Sequence, residues 1–185
     1  MRRERRLRAA WGPVFAAAVV LPEQFVLDKL GDSKKLSEKT RERLYDEILE
    51  QAADYQIAAA SEQEIDELNI LNATFLAMRR AVEGLAPRPE VALIDGNRAP
   101  ALEGTVPYTI VKGDSLSASI AAASILAKVS RDRYMLRLDE AYPQYAFAKH
   151  KGYPTKLHYE RLAEYGPCPV HRRTFLKKFF AAQGR

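Results

Sequence analysis

Two aspartates follow short apolar segments, and their positions suit metal chemistry. Asp95 comes directly after Val91–Ile94, and Asp114 comes shortly after Tyr108–Val111, so each apolar segment predicts a buried strand with a carboxylate beyond its end. Ligands bind at strand ends in open α/β sheets, because the loops there are free to carry chemistry. Two converging carboxylates would bind Mg²⁺ or Mn²⁺, which prefer oxygen ligands. The alternative is that Asp95 forms a turn with the next glycine and that Asp114 caps the following helix.

Asp132 is a third acidic candidate, but helix geometry separates it from the first two. On one unbroken helix, Asp114 and Asp132 would lie about 27 Å apart and could not share an ion. We therefore expect Asp132 to pair with a neighbouring arginine or to stand behind the metal ligands.

A basic, aromatic-bearing segment near the C-terminus suggests contacts with nucleic acid. Its charged and aromatic residues are Lys149, His150, Lys151, Tyr153, Lys156, His158, Arg172, Arg173, Lys177 and Lys178. Such a set suits phosphate contacts, with Tyr153 offering a flat face to a sugar or base. The alternative for each lysine or arginine is an ordinary solvated position. His158 and His171 have no partners at metal-binding spacing, and Cys168 has no neighbouring pattern that would activate a nucleophile.

The charge distribution agrees with a phosphate-binding end beside an acidic middle. Residues 1–8 carry five Arg and one Glu, residues 149–185 carry nine Lys or Arg and two Glu, and the whole chain of 185 residues has a net charge of +5. The intervening part is therefore acidic. A hydrophobic content of 47% excludes a wholly disordered protein, and a single cysteine excludes an internal disulfide.

No apolar stretch reaches the roughly 20 residues that a membrane helix needs. The longest run, Val14–Leu21, has the length of a strand and ends at Pro22. The basic start of the chain is not followed by a convincing cleavage site, so we expect a cytoplasmic protein.

Alternating strand and helix patterns predict an α/β fold with a partly parallel sheet. The predicted strands are Val14–Leu21, Tyr55–Ala60, Val91–Ile94 and Tyr108–Val111. The predicted helices are Ser37–Ala53 with Ser37 as N-cap, a short helix from Ser61, a helix from Asn72 to Leu85, Leu116–Asp139 and Thr155–Tyr165, followed by a basic tail.

The motifs as a set strongly resemble bacterial ribonuclease HII. They are 32–37 (DSKKLS), 70–74 (ILNAT), 94–98 (IDGNR), 111–115 (VKGDS), 120–129 (IAAASILAKV), 131–132 (RD), 147–153 (FAKHKGY) and 166–173 (GPCPVHRR). They occur in the family's order, and the resemblance covers roughly residues 12–178.

The resemblance implies a ribonuclease H-like fold, with a mixed central sheet flanked by helices and a C-terminal helical extension. It implies a divergent basic segment over 1–11, a catalytic domain over 12–145 and a substrate-binding extension over 146–185. The implied activity is hydrolysis of the RNA strand in RNA–DNA hybrids and cutting 5′ of single ribonucleotides in DNA. The implied state is a monomer.

The resemblance also implies roles for individual residues. Four carboxylates hold two Mg²⁺ or Mn²⁺ ions in the family, and Asp95 and Asp114 correspond to the third and fourth of them. Tyr153 corresponds to a tyrosine that packs against the deoxyribose after the ribonucleotide. The further substrate-binding residues that we expect are Lys149, Lys151, Asn97 and Arg172.

One segment departs from the family pattern. The family's first strand carries an Asp-Glu pair followed by Ala-Gly-Arg-Gly, which supplies two metal ligands and a loop that senses the 2′-hydroxyl. In this chain Arg3 replaces the Asp, Glu4 keeps the Glu, and no glycine is present before Gly12. The alternative to an active enzyme is therefore a catalytically impaired protein of the same fold that binds hybrids. A nuclease or integrase-like protein with another substrate is a third reading, which the motifs at 147–153 and 166–173 disfavour.

Overall fold

The computed structural model describes residues 11–25 and 36–182. Its strands and helices are β1 (Val14–Val20), α1 (Glu38–Gln51), β2 (Asp54–Ala60), α2 (Glu62–Glu83), β3 (Val91–Asp95), β4 (Val106–Ile110), α3 (Ala118–Ala141), α4 (Phe147–His150), α5 (Lys156–Tyr165) and α6 (Arg173–Ala182). Two 3₁₀ turns cover Gly113–Ser115 and Pro143–Tyr145. The predicted α/β class and all four predicted strands are confirmed, each to within two residues.

The four strands form two separate pairs. β1 and β2 run antiparallel, with Val14 opposite Ala60. β3 and β4 run parallel, with Val91 opposite Val106. Within the described residues no hydrogen bond joins the two pairs, so the mixed sheet is divided between β1 and β3.

Helices cover both faces of β1, because its residues alternate between two cores. On one face Ala16 and Ala18 pack among small residues of α2, including Ala77 and Ala81. On the other face Val19 packs against buried residues of α1 and α3. Those residues are Leu44, Ile48, Ala122, Ile125, Leu126 and Val129. Burying one such leucine or isoleucine contributes about 1.5–3 kcal/mol, so these two layers stabilise the central part of the fold.

Polar caps fix the starts of the helices. The Oγ atom of Ser37 accepts a hydrogen bond from the Thr40 amide at 3.1 Å, as predicted for the start of α1. Ser61 forms the predicted capping box with Glu64 at the start of α2. The Thr155 side chain accepts from the His158 amide at the start of α5. These side chains satisfy amides that have no partner inside the helix.

Three details of the helices differ from the prediction. The second helical segment of α2 begins after Asn69 rather than at Asn72, because Asn69 is non-helical, with a φ of 67° and a ψ of 163°. The Asn69 Oδ1 atom accepts hydrogen bonds from the amides of Leu71 and Asn72, as an N-cap side chain does. α3 begins at Ala118 rather than Leu116, because Ser117 is its N-cap. The predicted basic tail contains α6.

The described helices include none that is long and apolar enough to cross a membrane. The motif residues 32–35 and the divergent segment with Arg3 and Glu4 lie outside the described residues. The proposed division of the chain into domains stays a prediction.

Candidate active site

The ends of β3 and β4 bring Asp95 and Asp114 to one edge of the parallel pair. Asp95 is the last residue of β3, and its Oδ1 atom accepts a hydrogen bond from the Gly113 amide at 2.9 Å. Gly113 opens the 3₁₀ turn that carries Asp114, and Lys112 before it has a left-handed backbone with a φ of 58°. Asp95 is exposed, whereas Asp114 is buried. The turn therefore holds the two carboxyl-bearing residues on adjoining segments.

The Gly113 turn packs closely on the start of α3. A Cβ atom at Gly113 would lie 2.6 Å from the Cδ1 atom of Ile120, which is closer than two carbon atoms can approach. The lack of a side chain at Gly113 therefore lets the buried Ile120 of α3 pack directly against the turn. Neither alternative matches the contacts seen here: Asp95 accepts from the Gly113 amide rather than within a turn with Gly96, and α3 is capped by Ser117 rather than Asp114.

Asp95 and Asp114 could hold one hard cation but would not complete a two-ion site. Mg²⁺ is usually bound through one or two carboxylates together with waters and substrate phosphates. Among the residues that the structure describes, no group of three or more His, Cys, Asp or Glu could hold a metal ion. A second ion would need ligands beyond these two.

Asp132 lies in the middle of α3, and its separation from Asp95 and Asp114 stays a prediction. It is buried on α3, and its carboxylate accepts hydrogen bonds from the Lys128 ammonium group at 2.6 and 2.7 Å. The ion-pair expectation is correct, although the partner is a lysine one turn away rather than an arginine.

The predicted substrate loop presents two of its three side chains to solvent. Lys149 is exposed at the end of α4, and Tyr153 is 39% exposed, with the Arg131 guanidinium 5.8 Å from the centre of its ring. Lys151 is half-buried and lies 3.6 Å from Glu38 of α1. Asn97 is exposed in the turn after Asp95 and Gly96, close in sequence to the carboxylate pair.

Arg172 does not reach the surface. It is buried, and its Nε and Nη2 atoms donate to the Gly12 carbonyl oxygen at 3.0 and 2.6 Å. Burial and the neighbouring Arg131 lower the pKa of Arg172 to about 10, so it remains charged at neutral pH. This placement favours a positioning role over the substrate contact expected from the resemblance, because the guanidinium group of Arg172 donates to the Gly12 carbonyl oxygen.

Arg131 ties the substrate loop to the start of the described chain. Its Nη1 atom donates to the Lys151 carbonyl at 2.6 Å and its Nη2 atom to the Trp11 carbonyl at 3.3 Å. Gly152 allows this approach, because a Cβ atom there would lie 2.7 Å from Nη2 of Arg131. Sequence reasoning gave Arg131 no role beyond its place in a motif, since a contact across 120 positions has no local signal.

A buried chain of three histidines supports the same loop. Nε2 of His150 lies 2.9 Å from Nδ1 of His158, and Nε2 of His158 lies 3.1 Å from Nε2 of His171. The Gly152 amide donates to Nδ1 of His150, which places the proton of that ring on Nε2, 2.9 Å from the carbonyl oxygen of Tyr145. The Cys168 amide donates to Nδ1 of His171 at 3.0 Å.

Burial makes His158 hard to protonate, and the two flanking histidines add to this. Desolvation, followed by the charges of His150 and His171, lowers the pKa of His158 to about 2. Burial also lowers the pKa of His171 to about 4. The sequence prediction that these histidines bind no metal stays a prediction; what the structure adds is their packing around the fully buried Trp11.

Comparison with known proteins decides the family. The family model described as ribonuclease HII matches residues 9–182. The chain belongs to the ribonuclease HII family. The ribonuclease HII of Shewanella sp. (strain ANA-3) is 58% identical over 168 residues, which cover 89% of this chain and 80% of that protein. The chain is accordingly a ribonuclease.

Solved structures agree with the fold. The ribonuclease H2 of Pyrococcus horikoshii OT3 matches with a TM-score of 0.79 and 23% identity, covering 96% of this chain and 94% of that one. A Bst-RNase HIII structure in complex with Mn²⁺ matches with a TM-score of 0.61 and 18% identity, covering 95% of this chain and 67% of that one. At these identities the likeness confirms the ribonuclease H-like fold with its C-terminal helices.

Proposed function

We propose that this ribonuclease HII is an endonuclease that hydrolyses the RNA strand of RNA–DNA hybrids and cuts 5′ of single ribonucleotides embedded in DNA. The observation that carries the proposal is the placement of Asp95 and Asp114 on adjoining segments, joined through the Gly113 amide. Its support from outside the structure is the 58% identity to a curated ribonuclease HII.

The proposed cofactor is Mn²⁺ or Mg²⁺, held by Asp95 and Asp114 together with the scissile phosphate. A bound divalent ion supplies a water of lowered pKa and stabilises charge on the phosphate oxygens. Asp95 is held by the Gly113 amide, so its carboxylate is fixed before substrate arrives. Further ligands are required for the two-ion mechanism that the resemblance implies.

The proposed substrate contacts come from the loop around α4. Lys149 suits a phosphate, and the exposed face of Tyr153 suits the deoxyribose that follows the ribonucleotide. We assign Lys151 to a contact with a substrate phosphate, which would compete with Glu38 for its ammonium group. We assign Asn97 to a contact with the nucleic-acid strand beside the two carboxylates. Arg172 acts indirectly, because it holds the Gly12 turn.

Cleavage of a labelled DNA duplex containing one ribonucleotide, with Mn²⁺ and with Mg²⁺, tests this function. We expect a single cut 5′ of the ribonucleotide, and we expect Asp95→Asn to abolish it. Asp46→Asn is the matched control, because Asp46 is an exposed carboxylate on α1 and should leave the rate unchanged.

Two outcomes would contradict the proposal. Retained duplex binding without any cleavage would favour the hybrid-binding alternative for this chain. Equal cleavage by the wild-type protein and Asp95→Asn would mean that Asp95 is not a metal ligand.

A further inference from the structure

The guanidinium group of Arg131 is half-buried, yet it forms no ion pair with any residue that the structure describes. The carboxylate next to it in the sequence, Asp132, pairs with Lys128 instead. Taking a charged group out of water is costly unless hydrogen bonds compensate for the lost hydration. Burial accordingly lowers the pKa of Arg131. The contacts that Arg131 does make must therefore offset this cost, and they all lie around one loop.

Backbone oxygens take the place of a carboxylate partner. Arg131 donates from Nη1 to the Lys151 carbonyl at 2.6 Å and from Nη2 to the Trp11 carbonyl at 3.3 Å. Gly152 lies between these groups, since a Cβ atom there would be 2.7 Å from Nη2 of Arg131 and 3.0 Å from the Trp11 oxygen. The guanidinium group therefore packs directly against the backbone of the loop.

The backbone just before Tyr153 has a shape that needs support. Lys151 and Gly152 are both left-handed, with φ values of 47° and 79°. Glycine adopts this conformation readily, but it is unfavourable for lysine. The Tyr153 amide donates to the His150 carbonyl at 2.8 Å, which holds one side of the turn. The hydrogen bond from Arg131 holds the other side, because it fixes the peptide bond between Lys151 and Gly152.

Arg131 also contacts the aromatic ring of Tyr153. The central guanidinium carbon lies 5.8 Å from the centre of the ring, within the roughly 6 Å over which a cation is attracted to an aromatic face. The Tyr153 side chain is 39% exposed, so part of the ring remains available to a substrate. Arg131 thus fixes Tyr153 twice, through the backbone before it and through the ring itself.

The position of this ring matters for the choice between two substrates. Under the proposed function, Tyr153 packs against the sugar that follows the ribonucleotide. In DNA with one ribonucleotide this sugar is a deoxyribose, whereas in an RNA–DNA hybrid it carries a 2′-hydroxyl group. That hydroxyl is the group by which a protein distinguishes RNA from DNA at a given site. A ring held in one place favours the smaller deoxyribose, whereas a mobile ring accepts both sugars.

We propose that Arg131 is a positioning residue that sets the preference for a single ribonucleotide in DNA over a continuous RNA strand. It holds the ring of Tyr153 at the distance that suits a deoxyribose, and it does not contact the substrate itself. This inference rests on the proposed function, because it uses the contact between Tyr153 and the sugar.

Arg131→Gln tests the proposal on two fluorescein-labelled duplexes of the same sequence, one with a single ribonucleotide in a DNA strand and one with a complete RNA strand. The preference is the ratio of the two kcat/KM values with Mn²⁺. We expect Arg131→Gln to lower this ratio about tenfold, as loss of hydrogen bonds from a charged group would. A smaller fraction of folded protein would lower both rates equally and leave the ratio unchanged.

Three further proteins locate the effect. Arg133→Gln removes the same group two positions along α3, where Arg133 is exposed and pairs with Glu42, and should leave the ratio unchanged. Tyr153→Ala should lower the ratio at least as far as Arg131→Gln does. Adding Arg131→Gln to Tyr153→Ala should then change the ratio by less than about twofold, because Arg131 acts through Tyr153.

Binding of the same two duplexes without divalent ions, followed by fluorescence anisotropy, measures the preference independently of cutting. If the wild-type chain cuts neither duplex but its binding preference falls in Arg131→Gln, the proposed function fails and this inference holds. An unchanged ratio in Arg131→Gln would overturn the inference, as would additive effects of Arg131→Gln and Tyr153→Ala. A wild-type protein that prefers neither duplex in either measurement would overturn it as well.

Discussion

Acidification should destabilise this protein through its buried histidines well before its carboxylates titrate. The three histidines of the chain are His150, His158 and His171, and all three are buried in one hydrogen-bonded chain. Burial lowers the pKa of each below its ordinary value of 6.5. Below pH 6.5 the unfolded state therefore binds more protons than the folded state, so stability is fully present at higher pH and is lost as the pH falls.

The size of the effect follows from the two lowest pKa values. Between pH 7.5 and pH 5.0, an unfolded histidine gains its proton while His158, with a pKa of about 2, and His171, with a pKa of about 4, stay neutral. Each of them then costs about 2 kcal/mol of unfolding free energy, or about 4 kcal/mol together. That is a large part of the 5–15 kcal/mol by which domains are typically stable.

Urea unfolding at pH 7.5 and at pH 5.0 measures this loss, and His158→Gln isolates one histidine. Glutamine keeps a polar side chain between His150 and His171 but cannot take up a proton. We expect the difference between the two pH values to shrink by about 2 kcal/mol in the variant, whatever its absolute stability.

A loss of less than about 1 kcal/mol by the wild-type protein over this range would contradict the prediction, since even one neutral buried histidine would exceed that loss. An equal pH difference in His158→Gln and in the wild type would contradict it as well. Glu64, whose pKa is lowered to about 2 by Arg80, loses its contribution only near and below pH 4.5. Burial raises the pKa of Glu62, which acts in the opposite direction, but equally in the wild type and in His158→Gln, so the comparison of the two proteins isolates His158.

Three further substitutions test single contacts. Leu44→Ala should cost about 2–5 kcal/mol in urea unfolding, because Leu44 is fully buried between α1 and α3. Ser61→Ala should cost about 1 kcal/mol through loss of the capping box, and a loss near zero would show that the cap is not formed in solution. Gly152→Ala should raise KM for the ribonucleotide-containing duplex, because its Cβ atom would displace Arg131 from beneath Tyr153; an unchanged KM would separate the loop from substrate binding.

Local signals predicted the elements that local chemistry determines. Ser37 and Ser61 start helices because their side chains accept hydrogen bonds from amides three residues ahead, a relation visible in the sequence. The apolar strand that ends at Asp95 was visible for the same reason. The joining of Asp95 to the Gly113 turn was expected only from the general rule that parallel strand ends meet at one edge.

Contacts between distant segments had no such signal. Asn69 rather than Asn72 bends α2, and nothing in the two asparagines distinguishes them without the surrounding helix. Arg172 looked like one more surface cation in a basic tail, yet its partner is a carbonyl 160 positions away. The histidines looked unrelated because their ring contacts depend on how α4, α5 and the following turn pack against each other.

The same long-range contacts connect β1 to the substrate loop. Trp11 and Gly12 lie just before β1, and their carbonyl oxygens accept hydrogen bonds from Arg131 and Arg172. Arg131 also donates to the carbonyl of Lys151, next to Gly152, where a Cβ atom would collide with its guanidinium group. Any displacement of the start of β1 would therefore reach the loop through the half-buried guanidinium group of Arg131. Order at the cleavage site therefore depends on how firmly the start of β1 is held, as well as on Asp95 and Asp114.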